Sequence, residues 1–347
     1  MDSLNQAPRR SRRVFVVGAT GYIGKAVVHE LVQRGYDVVC LARRRAGVGG
    51  AQGEAETRAA LGGAEVRFGD VTDPASVARD GLRGERFDAV VSCLATRTGG
   101  VKDAWLIEDQ ANRNVLSACA AAGVGHFVLL SAICVQRPKL AFQHAKLAFE
   151  RALIESGLTY SIVRPTAFFK SLSGQVGAVQ RGRPFLVFGD GERTACKPIS
   201  EADLARFLCA CLEDPAKHNT ILPVGGPGPA ITPKEQGALL CGLAGRAVRY
   251  RRVPVGLMDV IIFVLSALGR LVPSLRDKAE LARIGRYYAT ESMLVLGADG
   301  RYDAAATPSY GGDTLRDFYA RVLREGMAGQ ELGDHAVFAR RERSATG

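Results

Sequence analysis

The chain alternates between short, almost wholly apolar runs and longer segments in which apolar residues recur every three or four positions. The first pattern predicts buried strands and the second predicts amphipathic helices. Apolar strands that alternate with helices are typical of a parallel sheet covered by helices on both faces. We therefore predict a doubly wound (Rossmann) α/β fold. The predicted strands are 13–19, 36–42, 65–70, 87–95, 126–132 and 159–165.

The alternation loosens after Pro165, where strand-like runs at 185–191 and 220–226 are followed by mostly helical sequence. We interpret this part as a smaller, mostly helical substrate lobe placed over the ends of the strands. The predicted organisation is a basic N-terminal arm at 1–13, a Rossmann domain at 14–226 with 166–197 contributing to the lobe, the lobe at 227–326, and a mobile tail at 327–347.

The motif GATGYIG follows the first predicted strand and opens the first predicted helix. Gly18, Gly21 and Gly24 have the spacing GxxGxxG. This spacing allows a tight turn, a close approach of backbone to a pyrophosphate, and helix N–H groups that point at its charge. It predicts a dinucleotide site, with an ordinary strand-to-helix turn as the alternative. The other candidates within the motif are Thr20, Tyr22 and Ile23.

The second predicted strand ends in CLARRR, where an NAD site would carry an acid for the ribose 2′-hydroxyl. Arg43, Arg44 and Arg45 instead suit a 2′-phosphate, so the sequence favours NADP(H) over NAD(H). Surface arginines are the alternative, because the chain is rich in Arg. Asp70, after the third strand, is placed to meet the adenine amino group or to cap the following turn.

Candidate residues also lie at the ends of the fourth and fifth strands. Ser92, Leu94 and Ala95 belong to the sequence SCLA, and Ser131 ends the run VLLS. In a doubly wound fold the carboxyl ends of the strands face the ligand crevice, so we place these residues beside the cofactor. A serine that only terminates its strand is the alternative interpretation.

The segment KLAFQHAKLAFE is predicted to be helical, with Phe142, Lys146 and Glu150 on one face. We predict that Lys146 is catalytic, because it can hold the nicotinamide ribose and keep the potential positive where hydride is transferred. A solvated lysine paired with Glu150 is the alternative. Phe142 has no hydroxyl and cannot exchange a proton, and His144 points away from this face.

The formal net charge of +11 makes an anionic partner plausible. The basic residues are dispersed, however, and the early cluster PRRSRR ends where the first strand begins, so we predict no nucleic-acid partner.

The eight cysteines include no CxxC pair, so no metal site is predicted. Free thiols fit a reducing cytosol, and the short segment before the first strand leaves no room for a signal or transit peptide. We expect a cytoplasmic protein.

The apolar segment at 255–272 is interrupted by Asp259 and Arg270 and falls short of the ~20 apolar residues of a membrane-spanning helix. We predict a buried helix, or one that lines an apolar pocket. Contact with a membrane surface is the alternative, so peripheral membrane association stays open.

The glycine motif, the strand-ending Ser131 and the aromatic–lysine pair resemble the short-chain dehydrogenase/reductase superfamily, in its branch of NmrA-like and isoflavone-reductase-like proteins. Longer strings narrow the resemblance to the NADPH-dependent 8-vinyl reductases of chlorophyll biosynthesis, and the resemblance covers residues 14–326. These strings are FQHAKLAFE, SIVRPTAFFKSLSGQV, FGDGERTACKPISEADLA, LPVGGPGPAITPKEQG and IGRYYATESMLVL.

The resemblance implies an NADPH-dependent oxidoreductase that reduces the C8 vinyl group of divinyl chlorophyllide or protochlorophyllide to ethyl, in chlorophyll or bacteriochlorophyll biosynthesis. Such a tetrapyrrole is flat, largely apolar and carries a carboxylate, so its site needs an extended apolar surface with a basic edge. Pro165 and Phe168 would then lie at the nicotinamide. The candidates for the substrate are Phe142, Phe169, Lys170, Lys197, Arg286, Tyr287 and Tyr288.

Reduction of a vinyl group accounts for the phenylalanine at 142. Both hydrogens are added to carbon and the conjugated macrocycle delocalises the charge, so no tyrosine is needed for a substrate oxygen. Tyr287 and Tyr288 are candidate donors of the proton, with water as the alternative. A non-catalytic NADP(H)-binding sensor or assembly subunit and a reductase of another conjugated double bond stay open as hypotheses. The oligomeric state is not defined by the sequence.

Overall fold

The computed structural model describes residues 11–46, 50, 52–96, 99–272 and 274–326. The strands are β1 (Arg13–Val17), β2 (Asp37–Ala42), β3 (Glu65–Phe68), β4 (Ala89–Ser92), β5 (His126–Leu130), β6 (Thr159–Pro165), β7 (Phe185–Phe188), β8 (Thr220–Val224), β9 (Tyr250–Val253), β10 (Val295–Leu296) and β11 (Tyr302–Asp303). Seven of them form one parallel sheet in the order β3-β2-β1-β4-β5-β6-β8. All six strands predicted from the first two-thirds of the chain are present, so the predicted fold is confirmed.

The α-helices are α1 (Tyr22–Gln33), α2 (Glu54–Ala60), α3 (Pro74–Ser76), α4 (Val101–Ala104), α5 (Asn112–Ala121), α6 (Ala141–Glu155), α7 (Val176–Gln180), α8 (Glu201–Glu213), α9 (Pro233–Leu243), α10 (Val255–Leu268), α11 (Ser274–Thr290) and α12 (Leu315–Glu325). Two π-helical segments continue α3 and α4, at Val77–Leu82 and Trp105–Ala111. Short 3-10 turns lie at Ile133–Gln136, Phe169–Leu172 and Pro215–Lys217.

Alternating side chains of β1 reach the two layers of the core. Val14 and Val16 belong to the cluster that packs against α1 and α8, whereas Phe15 and Val17 belong to the cluster that packs against α5 and α6. Successive residues of a strand point to opposite faces, so a strand covered on both sides must be apolar throughout. This explains why the strands are unbroken apolar runs in the sequence.

The strand order reverses between β1 and β4, which is where ligands bind in doubly wound folds. Gly18 follows β1 and lies directly against the backbone that follows β4. An added Cβ at Gly18 would be 2.4 Å from the carbonyl carbon of Cys93 and 2.7 Å from the amide nitrogen of Leu94. Gly18 also has a φ of 74°, in the left-handed region that favours glycine. Both constraints require glycine at the first position of the motif.

The residues after β6 build a further hydrophobic cluster outside the main sheet. β7 pairs with β9 in a separate two-stranded parallel sheet, and Phe185 of β7 belongs to the same cluster as Phe318 of α12. The buried carboxylate of Asp203 in α8 accepts hydrogen bonds from the N–H groups of Gly312 and Asp313, at 3.1 and 2.9 Å. This carboxylate fastens the segment before α12 to the Rossmann domain.

The apolar segment at 255–272 forms α10, and the prediction that this helix is buried is wrong. Met258 is the one buried side chain of α10, whereas Phe263 is 75% exposed. The helix packs along α11. Among the helices that the structure describes, none combines the length and the hydropathy that a membrane crossing requires.

The predicted N-terminal arm lies only partly within the described residues. Arg13 begins β1, and Arg12 donates a hydrogen bond to the carbonyl of Leu212 at 2.9 Å. These two residues are therefore attached to the Rossmann domain and do not form a solvated tail. Residues 1–10, and the predicted mobile tail at 327–347, lie outside the described residues.

The substitution Gly18→Ala tests how tightly the turn after β1 is packed. Gly123→Ala is the matched control, because Gly123 has a φ of 71° but an added Cβ there meets nothing within 4 Å. The control should cost about 1–2 kcal/mol of stability from backbone strain alone. At position 18 the overlap with Cys93 is added to this strain, so we expect a loss at least about twice as large. Equal losses in thermal denaturation would contradict the close contact.

Candidate active site

Helix α1 starts at the glycine turn in a way that fits an anion. Its N-cap residue is Gly21, and its first turn contains no acidic side chain. Gly24 packs against the turn itself, since an added Cβ would lie 2.1 Å from the carbonyl oxygen of Gly18. The first N–H groups of a helix and the helix dipole favour negative charge. A pyrophosphate group therefore fits this helix start.

The other residues of the glycine motif differ in where their side chains lie. Thr20 is partly exposed in the turn, whereas Ile23 is buried in the core. The hydroxyl of Tyr22 donates a hydrogen bond to Glu201 of α8. Tyr22 and Ile23 are thus engaged by the protein through their side chains, and their predicted contact with a cofactor would involve their backbone.

The predicted 2′-phosphate site lies at the end of β2. Arg43 is exposed, and Arg44 pairs with Glu54 of α2 at 2.5 Å. Ion pairs on the surface contribute little stability, so this pair does not prevent Arg44 from binding a phosphate. Asp70 accepts hydrogen bonds from the N–H and the hydroxyl of Thr72, at 2.8 and 2.7 Å. This is the turn arrangement weighed as the alternative for Asp70, and its adenine contact stays a prediction.

The three candidate residues of the SCLA sequence after β4 differ in their surroundings. Ser92 is buried, and its hydroxyl donates to the amide oxygen of Asn112 at 2.6 Å. Leu94 is buried in the core, and Ala95 is exposed. The Ser92 hydroxyl is therefore committed to α5, and Ala95 is the residue of this sequence that reaches the surface.

Lys146 in α6 forms a buried ion pair with Glu108 of the π-helical segment Trp105–Ala111. Their Nζ and Oε2 atoms are 2.8 Å apart, and the side chains are 10% and 2% exposed. The other oxygen of Glu108 accepts a hydrogen bond from the N–H of Thr96 at 2.9 Å. The pair therefore joins α6, the π-helical segment and the loop after β4. The alternative pairing of Lys146 with Glu150 is wrong.

Ser131, predicted to lie beside the cofactor, belongs to a second buried network. Its hydroxyl donates to Glu150 of α6, and the guanidinium of Arg164 in β6 binds both oxygens of the same carboxylate. The Glu150 side chain is 3% exposed. A hydroxyl that donates to a buried carboxylate is not directed at a ligand, so Ser131 has a structural role in this arrangement.

Phe142 belongs to a hydrophobic cluster beneath α11 that also contains Cys134 and Tyr287. The hydroxyl of Tyr287 donates to the carbonyl of Cys134 at 2.9 Å, with the carbonyl of Arg137 at 3.1 Å. Burial raises the pKa of Tyr287 to about 12. Tyr287 thus attaches α11 to the turn after β5, and its hydroxyl proton is engaged in these hydrogen bonds.

Tyr288 is placed differently from its neighbour. The residue is 46% exposed overall, but its hydroxyl end is surrounded by protein and lies near Cys134 and Glu108. This burial and the neighbouring groups raise the pKa of Tyr288 well above its ordinary value. The charge of Lys146 also acts on the Cys134 thiol. Glu108, Cys134, Lys146 and Tyr288 therefore form one group, which we call the Lys146 cluster.

The two adjacent phenylalanines after β6 pack in different parts of the structure. Pro165 is buried at the end of β6. Phe168 packs near Tyr22 of the glycine motif, with ring centroids 6.5 Å apart. Phe169 is 2% exposed and packs on Phe318 of α12. Phe168 therefore stays beside the predicted dinucleotide site, whereas Phe169 is a core residue and presents no surface to a substrate.

The basic candidates for a substrate carboxylate are engaged by different elements. Lys170 lies over the ring of the tyrosine in the glycine motif, with 4.8 Å between Nζ and the centroid. Lys197 is buried and donates to the carbonyl of Thr307 at 3.0 Å. Arg286 pairs with Asp259 of α10. The structure therefore does not bring these three side chains to one edge.

Sequence reasoning missed Glu108 and Cys134. Glu108 is 38 residues from Lys146 along the chain, and no motif spacing joins them. A signal was present, because Glu108 shares a helix face with Ala111, Val115 and Cys119, all of which are buried. An acid on the apolar face of a helix needs a partner.

These features define a dinucleotide-binding site at the carboxyl edge of a Rossmann sheet. A family model described as NAD(P)H-binding matches residues 18–215, so the chain is an NAD(P)H-binding protein. A solved structure, the binary complex of leucoanthocyanidin reductase with NADPH from Vitis vinifera, is similar in fold with a TM-score of 0.65. The similarity covers 90% of this chain and 100% of that one at 17% sequence identity.

Curated relatives narrow the class further. The divinyl chlorophyllide a 8-vinyl-reductase, chloroplastic, of Oryza sativa subsp. indica is 53% identical over 331 residues, which are 94% of this chain and 82% of the relative. The protein of the same name from Arabidopsis thaliana is 51% identical over 339 residues, 95% of this chain and 81% of the relative. The chain belongs to the divinyl chlorophyllide a 8-vinyl-reductase family.

The substitution Glu108→Gln should leave a buried ammonium group without its counter-charge. We expect a loss of about 3–5 kcal/mol in the free energy of unfolding, measured by urea denaturation. The double variant Glu108→Gln/Lys146→Met removes both charges and should recover most of that loss. Glu213→Gln is the control, because Glu213 pairs with Arg34 at the surface and should cost at most about 1 kcal/mol. A single variant as stable as the wild type would contradict the buried pair.

Proposed function

We propose that the chain reduces the C8 vinyl group of a divinyl chlorophyllide to an ethyl group, with NADPH as the reductant. The curated relatives are named for this reaction. The observation that carries the proposal is that neither position 142 nor Ser131 offers a free hydroxyl to a substrate oxygen. Position 142 is phenylalanine, and the Ser131 hydroxyl is committed to Glu150. A reaction that adds both hydrogens to carbon needs neither of them.

The residues at the carboxyl edge of the sheet suit NADPH. We propose that the start of α1 holds the pyrophosphate and that Arg43 binds the 2′-phosphate. Bound NADPH supplies the hydride. The Lys146 ammonium has three N–H donors, and its bond to Glu108 uses one of them. The remaining donors are available to the ribose hydroxyls, so Lys146 can position the nicotinamide ribose while it stays paired.

A nearby carboxylate neutralises the positive charge of Lys146, which the sequence did not indicate. Glu108 is 2.8 Å from the ammonium, so the pair is neutral as a whole and its field falls off quickly. We therefore assign Lys146 mainly to positioning of the cofactor. The charge that develops on the substrate during hydride transfer is delocalised by the conjugated macrocycle and is not stabilised by Lys146.

We propose Tyr288 as the donor of the proton. Its hydroxyl lies in the Lys146 cluster beside Cys134, and the residue is 46% exposed overall. Hydride is added to one vinyl carbon, and the Tyr288 proton is added to the other. Water then restores the proton to the phenolate. Tyr287 is a poorer donor, because its hydrogen bonds hold α11 in place.

The remaining assignments follow from the same reaction. We propose that residues 166–197 and 227–326 form the lobe that covers the tetrapyrrole. The form of the substrate can be the chlorophyllide or the protochlorophyllide, and the pathway can lead to chlorophyll or to bacteriochlorophyll. We retain a cytoplasmic location as a proposal, although the curated relatives are chloroplastic.

The proposed reaction is tested with purified protein, NADPH and divinyl chlorophyllide a, with the product identified by chromatography. We expect conversion to the monovinyl compound, and much slower conversion with NADH because of Arg43.

The variant Glu108→Gln/Lys146→Met should fold but lose at least about 100-fold in kcat/KM, because the ribose is no longer held. Phe142→Tyr should keep most of the activity, since the reaction does not use a hydroxyl at this position.

Two results would contradict this account. Tight NADPH binding without any conversion would favour a non-catalytic sensor or assembly subunit. Conversion of a different conjugated double bond, with the divinyl chlorophyllide left unchanged, would favour the other reductase hypothesis.

The donor is tested with Tyr288→Phe, which removes the proton and keeps the ring. We expect kcat to fall by about 100-fold or more, with no change in the Kd for NADPH. Tyr287→Phe is the matched control, because it should lower the melting temperature while the folded enzyme keeps its turnover. Full turnover by Tyr288→Phe would identify water as the donor and overturn this assignment.

A further inference from the structure

Helix α10 is apolar on two opposite faces. Its inner face carries Met258, Ile262 and Leu265, which are buried or half-buried. An ordinary surface helix carries polar residues on the other face. In α10 the outer positions recur with the same helical spacing and are all apolar and exposed: Leu257, Val260, Ile261, Val264 and Leu268. We call these five residues the outer stripe.

The outer stripe is not part of the Lys146 cluster. Helix α11 lies between α10 and the main sheet, because its residues Glu280 and Tyr287 bond to the segment around α6 and the turn after β5. Residues Arg283 and Arg286 of the same helix bond to α10. The outer stripe therefore faces away from the cofactor crevice, and none of the described residues covers it.

Basic residues flank the outer stripe on both sides along the chain. Arg251 and Arg252 come just before α10, Arg270 just after it, and Lys278 lies in the next helix, and all four are exposed. Residues 249–286 contain eight basic and three acidic residues, a net charge of +5. Two of the acids, Asp259 and Glu280, are paired with arginines of the same region. The outer stripe is apolar and the exposed residues around it are basic. It therefore complements a partner surface whose interior is apolar and whose boundary carries anionic groups.

We propose that the outer stripe docks on the interface of a lipid bilayer that contains anionic headgroups. The helix has 14 residues, or about 21 Å at 1.5 Å per residue, which is too short for the ~30 Å hydrocarbon core. It therefore lies in the interface with the stripe inserted, while the flanking arginines contact the headgroups. Phe263, beside the stripe, is the aromatic residue of α10 and is largely exposed, so it inserts with the stripe.

A second copy of the chain fits this surface less well. A two-fold interface places the same patch of both subunits face to face. It would bring two regions of net charge +5 together, and like charges oppose such contact. Anionic headgroups instead neutralise these charges. This inference concerns a surface outside the cofactor site and does not rest on the proposed reaction.

The test is sedimentation of the full chain with vesicles of phosphatidylcholine that contain about a quarter phosphatidylglycerol. We expect binding to these vesicles that is at least about tenfold stronger than binding to pure phosphatidylcholine, and that weakens with added salt. Val260→Gln/Val264→Gln should lose at least about tenfold in binding while its Kd for NADPH in solution stays unchanged. The control Ile154→Gln/Ile221→Gln changes exposed apolar residues of α6 and β8 and should bind as the wild type does.

Three results would overturn the proposal. The first is absence of binding to either vesicle, and the second is a stripe variant that binds as well as the wild type. The third is a wild-type dimer that becomes a monomer in the stripe variant while vesicle binding is unchanged, since the stripe would then be a contact between two copies. Because binding is measured without turnover, failure here is distinguishable from failure of the proposed reaction.

Discussion

The buried ion pair between Lys146 and Glu108 is the interaction on which the site depends. Neither charge is stable alone in that position, because the desolvation of an unpaired buried ion costs several kcal/mol. The pair is formed only when α6, the π-helical segment at Trp105–Ala111 and the loop after β4 take their places together. It thereby couples the position of Lys146 to the packing of the elements beside the crevice between β1 and β4.

The sequence predicted what depends on neighbours along the chain. The strands are continuous apolar runs, and Gly18, Gly21 and Gly24 are recognised by their spacing directly after the first strand. Lys146 could be selected because it shares a helix face with Phe142. Its partner could not be identified in this way, because Glu108 reaches it through the tertiary structure, and the same holds for the contact of Tyr288 with Cys134.

Helix α10 marks another limit of the sequence. Its inner and outer faces are equally apolar, so hydropathy predicts burial for both, and only the packing of α11 determines which face is covered. Phe169 is a limit of the same kind. It adjoins Phe168 in the sequence, but one side chain packs near the glycine motif and the other in the C-terminal cluster.

The C-terminal part of the chain completes the site on the Rossmann domain. The carboxylate of Glu291, just after α11, pairs with Arg137 at 3.2 Å and with Lys139 at 2.5 Å, and it also accepts a hydrogen bond from Tyr302. These contacts hold α11 so that Tyr288 reaches the Lys146 cluster. In the proposed reaction one part of the chain binds the dinucleotide and another supplies the proton, so the substrate can change without a change in the cofactor site.

The central claim is that hydride from NADPH is added to one carbon of the C8 vinyl group and a proton to the other. The direct test uses NADPH with deuterium at the transferred position of the nicotinamide, in ordinary water, with divinyl chlorophyllide a as substrate. Mass spectrometry of the product should show one deuterium, located in the new ethyl group. A reduced product without deuterium in that group, or with deuterium at another position of the macrocycle, would contradict the account.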